Sequence, residues 1–204
     1  MNSWKESGSD NFQQGRASGL VAGTSVATSV GWRPVETLIA GDKVLTFDDG
    51  LQKVTRIDRA LLWPESTPCP QHLWPLDVPE GALGNQTRMM LLPEQAVMLE
   101  SDIAEEVLGN PFSLMYASVL DGFRKISRCE PRGPIEVVNL CFADEQVIFA
   151  NIGALFHCPR VICGEIRRDV MEMDQPDFYT PMDMEQADTL TALIEAEESR
   201  EALI

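Results

Sequence analysis

The chain has 204 residues and a mass of 22.6 kDa, with 16 basic against 32 acidic side chains, a formal charge of −16 and a pI near 4.4. That balance argues against nucleic-acid and anionic-membrane partners, both of which need an excess of Lys and Arg on some face. At 44% hydrophobic residues the chain can bury a core, and no apolar run approaches the roughly 18 residues of a membrane-spanning helix.

Residues 1–17, rich in Gly, Ser, Asn and Gln, read as a flexible leader. They lack the basic start and apolar stretch of a cleavable signal peptide. The expected location is therefore the cytoplasm, or the exterior by a route that needs no such peptide. Residues 24–30 form a β-branched run ending at Gly31. Residues 43–47 are apolar and stop at Asp48-Asp49-Gly50, with 51–57 beyond, which predicts a hairpin. Between Trp63 and Asn85 lie Pro64, Pro68, Pro70, Pro75 and Pro79, a density that forbids a regular helix and favours extended segments with turns. Residues 89–92 and 96–99 flank Pro93-Glu94, and 136–142 and 146–149 flank Ala143-Asp144-Glu145. These pairs predict further short strands or hairpins. A short helix is predicted over 103–108, capped by Asp102 with Glu105 three residues on, and stopped by Gly109 or Asn110.

The charge is unevenly placed. From Glu165 onward twelve acids face three bases, a balance of −9, while the other 164 residues carry −7. The expected organisation is a leader (1–17), a β domain (18–164) and an acidic tail (165–204) with an amphipathic helix near 184–203. Ala187, Leu190, Leu193 and Ile194 share one face of that helix. Many short strands between Gly and Pro turns make the body all-β. The tail's methionines, among them Met182 and Met184, make it a possible docking surface for a protein partner, and its aliphatic end a possible export signal.

Five cysteines, none at CxxC spacing, do not form a disulfide framework and read as free thiols. Cys69-x-x-His72 and His157-Cys158-x4-Cys163 hold ligands that zinc accepts, but without the regular spacing of a zinc site, so no metal is expected. No glycine-rich phosphate loop or twelve-residue calcium loop occurs, and no cofactor is expected. Trp32, Trp63, Trp74, Phe47, Phe149 and Phe156 read as core aromatics rather than a binding stripe. Met89, Met90, Met98 and Met115 read as gap-filling core. Cys141, between Leu140 and Phe142, reads as a core thiol.

Three strings carry a resemblance: Gly23-Thr24-Ser25-Val26-Ala27-Thr28, Gly31-Trp32-Arg33-Pro34-Val35-Glu36-Thr37-Leu38 and Ala40-Gly41-Asp42-Lys43-Val44-Leu45-Thr46. Together with 78–85 and 91–99 they resemble the Hint (Hedgehog/intein) module, in the version common in alphaproteobacterial proteins, over about residues 19–160. The resemblance implies a horseshoe-like all-β fold that breaks its own backbone. In such modules a Cys or Ser four residues before the Gly-Thr pair attacks the preceding carbonyl. A Thr-x-x-His block polarises and protonates the scissile amide, and in inteins a closing His-Asn completes excision.

In this sequence Gly19 stands at the nucleophile position, and the Thr-x-x-His block reads Leu92-Pro93-Glu94-Gln95. Ala150-Asn151 resembles the closing strand, without a His before Asn151. The expectation is a Hint fold with vacated catalytic positions at Gly19, Leu92 and Gln95, serving as an interaction or structural module. The alternative is an autoproteolytic domain that cleaves before Ser18 by an acyl shift, which requires the register to slip by one residue.

Overall fold

Strands of two to six residues, joined by turns and short loops, build most of this protein. The structure is a computed structural model and describes residues 18–62, 68–160 and 179–202. In chain order the strands are β1 (Leu20–Val21), β2 (Ser25–Thr28), β3 (Gly31–Pro34), β4 (Lys43–Thr46), β5 (Gly50–Lys53), β6 (Arg56–Leu61) and β7 (Leu76–Val78). They continue as β8 (Met89–Leu91), β9 (Ala96–Glu100), β10 (Phe112–Tyr116), β11 (Ser127–Arg128), β12 (Glu136–Cys141), β13 (Gln146–Ala150) and β14 (Ala154–Cys158). Two α-helices, α1 (Asp102–Leu108) and α2 (Met184–Glu201), complete the described residues.

The strands form two antiparallel sheets. One runs β11-β7-β8-β1-β12-β6, and the other runs β10-β9-β14-β13-β2-β4-β5 with β3 added on β2. The predicted hairpin at Asp48-Asp49-Gly50 forms, with Leu45 opposite Leu51. The two other strand pairs do not form hairpins. β8 pairs with β7 and β1, whereas β9 pairs with β10 and β14. β12 pairs with β6 and β1, whereas β13 pairs with β14, β2 and β4. At both places the intervening residues carry the chain from one sheet to the other. The run 51–57 is divided in the same way: β5 ends at Lys53, the Thr55 amide donates to Cys141 O, and β6 belongs to the sheet of β12.

The core accounts for these crossings. Val26, Val35, Leu38, Val44, Leu76, Leu91, Val138, Ile148 and Phe156 are all nearly inaccessible and belong to one cluster fed by both sheets. Each fully buried aliphatic side chain of this kind stabilises the fold by about 1.5–3 kcal/mol. Met89, Met98 and Met115 lie in the core as expected, and so does Cys141. The aromatics divide. Phe156 is buried and Phe47 packs edge-on to Phe112 at 4.8 Å, but Trp32, on β3, is 41% exposed. Trp63 and Cys163 lie outside the described residues. Of the remaining thiols Cys141 and Cys158 are buried, while Cys69 and Cys129 are half-buried.

Helix α1 is capped by Ser101, whose hydroxyl accepts from the Ile103 amide, one residue before the expected Asp102. Asp102 instead opens the first turn, where its charge suits the helix dipole. Gly109, at φ 72°, ends the helix in the left-handed conformation a glycine adopts without strain. Helix α2 begins at its cap Asp183, whose Oδ1 accepts from the Gln186 amide at 2.8 Å. It lies on the body: Ala187, Leu190 and Ile194 join the main core, whereas Leu193, expected on the same face, is 43% exposed. The hydrophobic stripe is thus one residue narrower than the sequence pattern suggests.

Candidate functional site

A cavity of about 650 Å³ opens where the two sheets meet. Its walls come from β1 and β12 on one side (Gly19, Leu20, Asn139) and from β9 and β14 on the other (Gln95, Ala96, His157, Cys158). Ser18, Tyr116, Ser118, Glu145 and Tyr179 complete much of the lining.

Gly19 and Gln95, 76 residues apart, meet here. The Gly19 amide donates to Gln95 Oε1 at 3.1 Å. The Gln95 Nε2 group donates to Ala96 O and to His157 O, each at 2.8 Å. Gln95 is 4% exposed and every polar atom of its side chain is engaged. Its position is set by the turn Leu92-Pro93-Glu94-Gln95, closed by the Gln95 amide on Leu92 O and held on its far side by Ala117 and Ser118, whose amides donate to Gln95 O and Pro93 O. Gly19 has φ +122°, a conformation L-residues rarely adopt. A Cβ there would lie 2.5 Å from Val137 Cγ1 and 2.6 Å from Asn139 Oδ1.

Two residues not singled out for this site border it as a pair. His157 Nε2 and Glu145 Oε2 are 3.1 Å apart, with side chains only 8% and 12% exposed. The Tyr179 amide donates to the other carboxylate oxygen, Glu145 Oε1, at 3.2 Å, and the Tyr179 ring lies 5.7 Å from the imidazole. The pair follows from antiparallel register, since β13 and β14 place His157 opposite Val147, two residues beyond Glu145. The sequence signal was present but weak: a histidine near the end of the apolar strand β14, and an acid in what reads as a plain turn.

The other expected positions fall elsewhere. Leu92 is fully buried in a small cluster with Ile135 and Val137. Asn151 is 3% exposed, but its Oδ1 accepts from the Ser25 amide at 2.8 Å, and it lines a separate depression with Gly23, Thr24 and Arg88. Ser18 borders the cavity one residue before Gly19. His72 lies exposed in a short helical turn, Gln71–Leu73, with Cys69 just before its cap Pro70, and neither lines the cavity that His157 and Cys158 border. Among the described residues no group of three or more His, Cys, Asp or Glu is placed to hold a metal ion.

The thiols here are poor nucleophiles at neutral pH. Burial, and secondarily the nearby Cys141, pushes Cys158 up to about 12. Cys69 and Cys129 are also raised, first by burial and then by the neighbouring charges of Glu130 and Asp77. Only the thiolate attacks, so burial works against reactivity at each of them. No described helix is long and apolar enough to cross a membrane.

Comparison with solved structures finds intein folds. The solution structure of a bacterial intein-like domain from Clostridium thermocellum shares 16% identity, with 69% of this chain and 98% of that one covered and a TM-score of 0.49. The AceL NrdHF class 3 split intein shares 13% over 71% and 99%, with a TM-score of 0.46. The gp41-1 intein shares 14% over 68% and 97%, with a TM-score of 0.43. No curated protein matches this sequence significantly. The Hint domain profile matches residues 18–155, more than half of the chain, which therefore belongs to the Hint domain family of autoprocessing and splicing-related modules.

Proposed function

We propose that this Hint domain no longer performs the acyl shift and serves as an interaction or structural module. The observation that carries this reading is Gly19. It offers no hydroxyl or thiol at the first position, and the volume a side chain would need is occupied by Val137 and Asn139. Gln95 supports the same reading. An amide does not ionise near neutral pH, and this one is tied into three hydrogen bonds that hold the backbone at Gly19 and His157 in place. On this reading His157-Cys158, which borders the cavity, stands where an intein closes on His-Asn, whereas the sequence placed the closing strand at Ala150-Asn151 without a His. A thiol there cannot form the five-membered imide by which an asparagine amide, attacking its own main-chain carbonyl, releases the amine of the following residue.

What the cavity retains is the His157–Glu145 pair. One side chain leaves a second reading, because Ser18 lines the same cavity. There the Ser18 hydroxyl would attack the carbonyl of Ala17, and the amide would pass to an ester. Intact-mass spectrometry after prolonged incubation with dithiothreitol or hydroxylamine separates the two. The proposed function predicts an unchanged mass of 22.6 kDa. A fragment beginning at Ser18 or Gly19 overturns it in favour of autoproteolysis.

A further inference from the structure

Helices α1 and α2 pack against one another and leave a groove of about 420 Å³ on the surface. Val107, Leu108, Met182 and Leu193 line it, with Asp183 and Glu185 among its polar residues. Val107 is 59% exposed, Leu108 48% and Leu193 43%. A single exposed leucine needs no explanation, but three large aliphatic side chains from two helices converging on one hollow form a patch.

The charge around this patch is of one sign. Asp183 and Glu185 border the groove, and the same two helices carry further acids at Asp102, Glu105, Glu106 and Asp188. Residues 102–108 and 183–199 contain no Lys or Arg. Among the described residues none of these six carboxylates forms an ion pair. An apolar floor with an unneutralised acidic rim fits an apolar segment flanked by bases. A second copy of this chain would bring the same acidic rim, and like charges across an interface oppose docking.

We propose that the α1–α2 groove docks a short basic amphipathic segment of a partner protein. Aliphatic or aromatic side chains enter the hollow, and flanking Lys or Arg meet the rim. Seven residues of α1 rise about 10 Å, room for roughly two turns of a bound helix with anchors at i and i+3 or i+4. The inference rests on the reading of this domain as an interaction module for its purpose, while its geometry lies apart from Gly19 and Gln95.

The test is an NMR titration of the full chain with three twelve-residue peptides: a Leu/Lys amphipathic helix, a Ser/Lys peptide of equal charge, and a Leu/Glu helix. The expected result is resonance shifts concentrated on 102–108 and 182–194, with the Leu/Lys peptide bound at least about tenfold more tightly than the Ser/Lys peptide and the Leu/Glu helix not bound. Val107→Asp and Leu193→Asp, both at exposed positions, each weaken binding about tenfold. Glu185→Gln, at a residue that borders the groove, weakens it and flattens its salt dependence. Equal affinity for the Ser/Lys peptide, shifts spread over the rest of the molecule, or unaltered binding by the two Asp variants overturns the proposal. Self-cleavage with intact groove binding would refute only the reading of the Gly19 cavity. An uncleaved protein that fails this titration would refute only the groove.

Discussion

The Gly19 amide and the Gln95 side chain share a hydrogen bond of 3.1 Å that joins the first residues of the domain to the turn before β9. The contact pairs a backbone donor with a neutral acceptor. Substituting Gly19 strains the fold, because its φ is positive and a Cβ there meets Val137 and Asn139. Gly19→Ala and Gly19→Cys are each expected to lower stability by about 2–4 kcal/mol, through the unfavourable φ and the collision with Val137 and Asn139. Urea unfolding measures the loss, and mass spectrometry of Gly19→Cys combined with Gln95→His should still show an intact chain.

Gln95→Leu keeps the side-chain bulk but leaves the Gly19 amide and two carbonyls without their side-chain partner. A buried polar group stripped of its partner costs about 1–3 kcal/mol. A loss of about 2–4 kcal/mol is expected in denaturant titration, with faster amide exchange at Gly19. A change below 0.5 kcal/mol, an order set by ordinary surface substitutions, would mean that Gln95 is not a structural tie.

Arg124 fastens α2 to the body. Its guanidinium meets Glu198 and donates to Ala82 O at 2.9 Å, while its amide donates to Glu195 Oε1 at 3.1 Å. It does so at φ 43°, a left-handed conformation that costs a non-glycine residue about 1–2 kcal/mol. Arg124→Ala should destabilise by about 1–3 kcal/mol and speed amide exchange across α2. Arg124→Gly should be the milder change by about 1 kcal/mol, because glycine relieves the strain. The reverse order would show that the backbone there carries none.

Cys158 gives the alkaline limb of stability a specific slope. Its thiol is raised from an ordinary value of 9.0 to about 12 by burial, so the unfolded chain loses this proton first. The stabilisation is fully present below pH 9 and is lost as the pH rises toward 12, on the order of 3–4 kcal/mol in all. Cys158→Ala should flatten this part of the curve relative to the wild type in denaturant titrations at pH 8 to 11. Parallel curves would count against a buried neutral thiol.

Only two histidines occur in the chain, one exposed and one sheltered. His72 lies open at the Gln71–Leu73 turn, and His157 is 8% exposed beneath the Tyr179 ring. Diethyl pyrocarbonate should modify His72 quickly and His157 at least about tenfold more slowly, an order set by local opening. Tyr179→Ala should accelerate modification of His157 alone, with site-resolved mass spectrometry as the readout. Equal rates at both residues in the wild type would show that the cavity is open.

Several features were legible from residue order because they depend on neighbours along the chain. The Asp48-Asp49-Gly50 hairpin, the short helix ending at Gly109 and the tail helix behind Asp183 are local, set by turn chemistry, capping and 3.6-residue periodicity. The identities of Gly19 and Gln95 were readable too, but their meeting across 76 residues of chain was not. Only the tertiary structure decided which strands pair. The Leu92–Gln95 and Phe142–Glu145 connections look like hairpin turns locally, yet they carry the chain between two sheets, because burying both apolar faces around one core outweighs a local hairpin. The same long-range packing brought Glu145 to His157, held Asn151 on Ser25 away from the cavity, and laid the tail helix on the body while leaving Leu193 outside. The charge of −16 is fixed by composition alone. That Asp183 and Glu185 border an apolar groove follows from how α1 and α2 pack, because side chains about eighty residues apart in the chain become neighbours only when a common core draws their helices together.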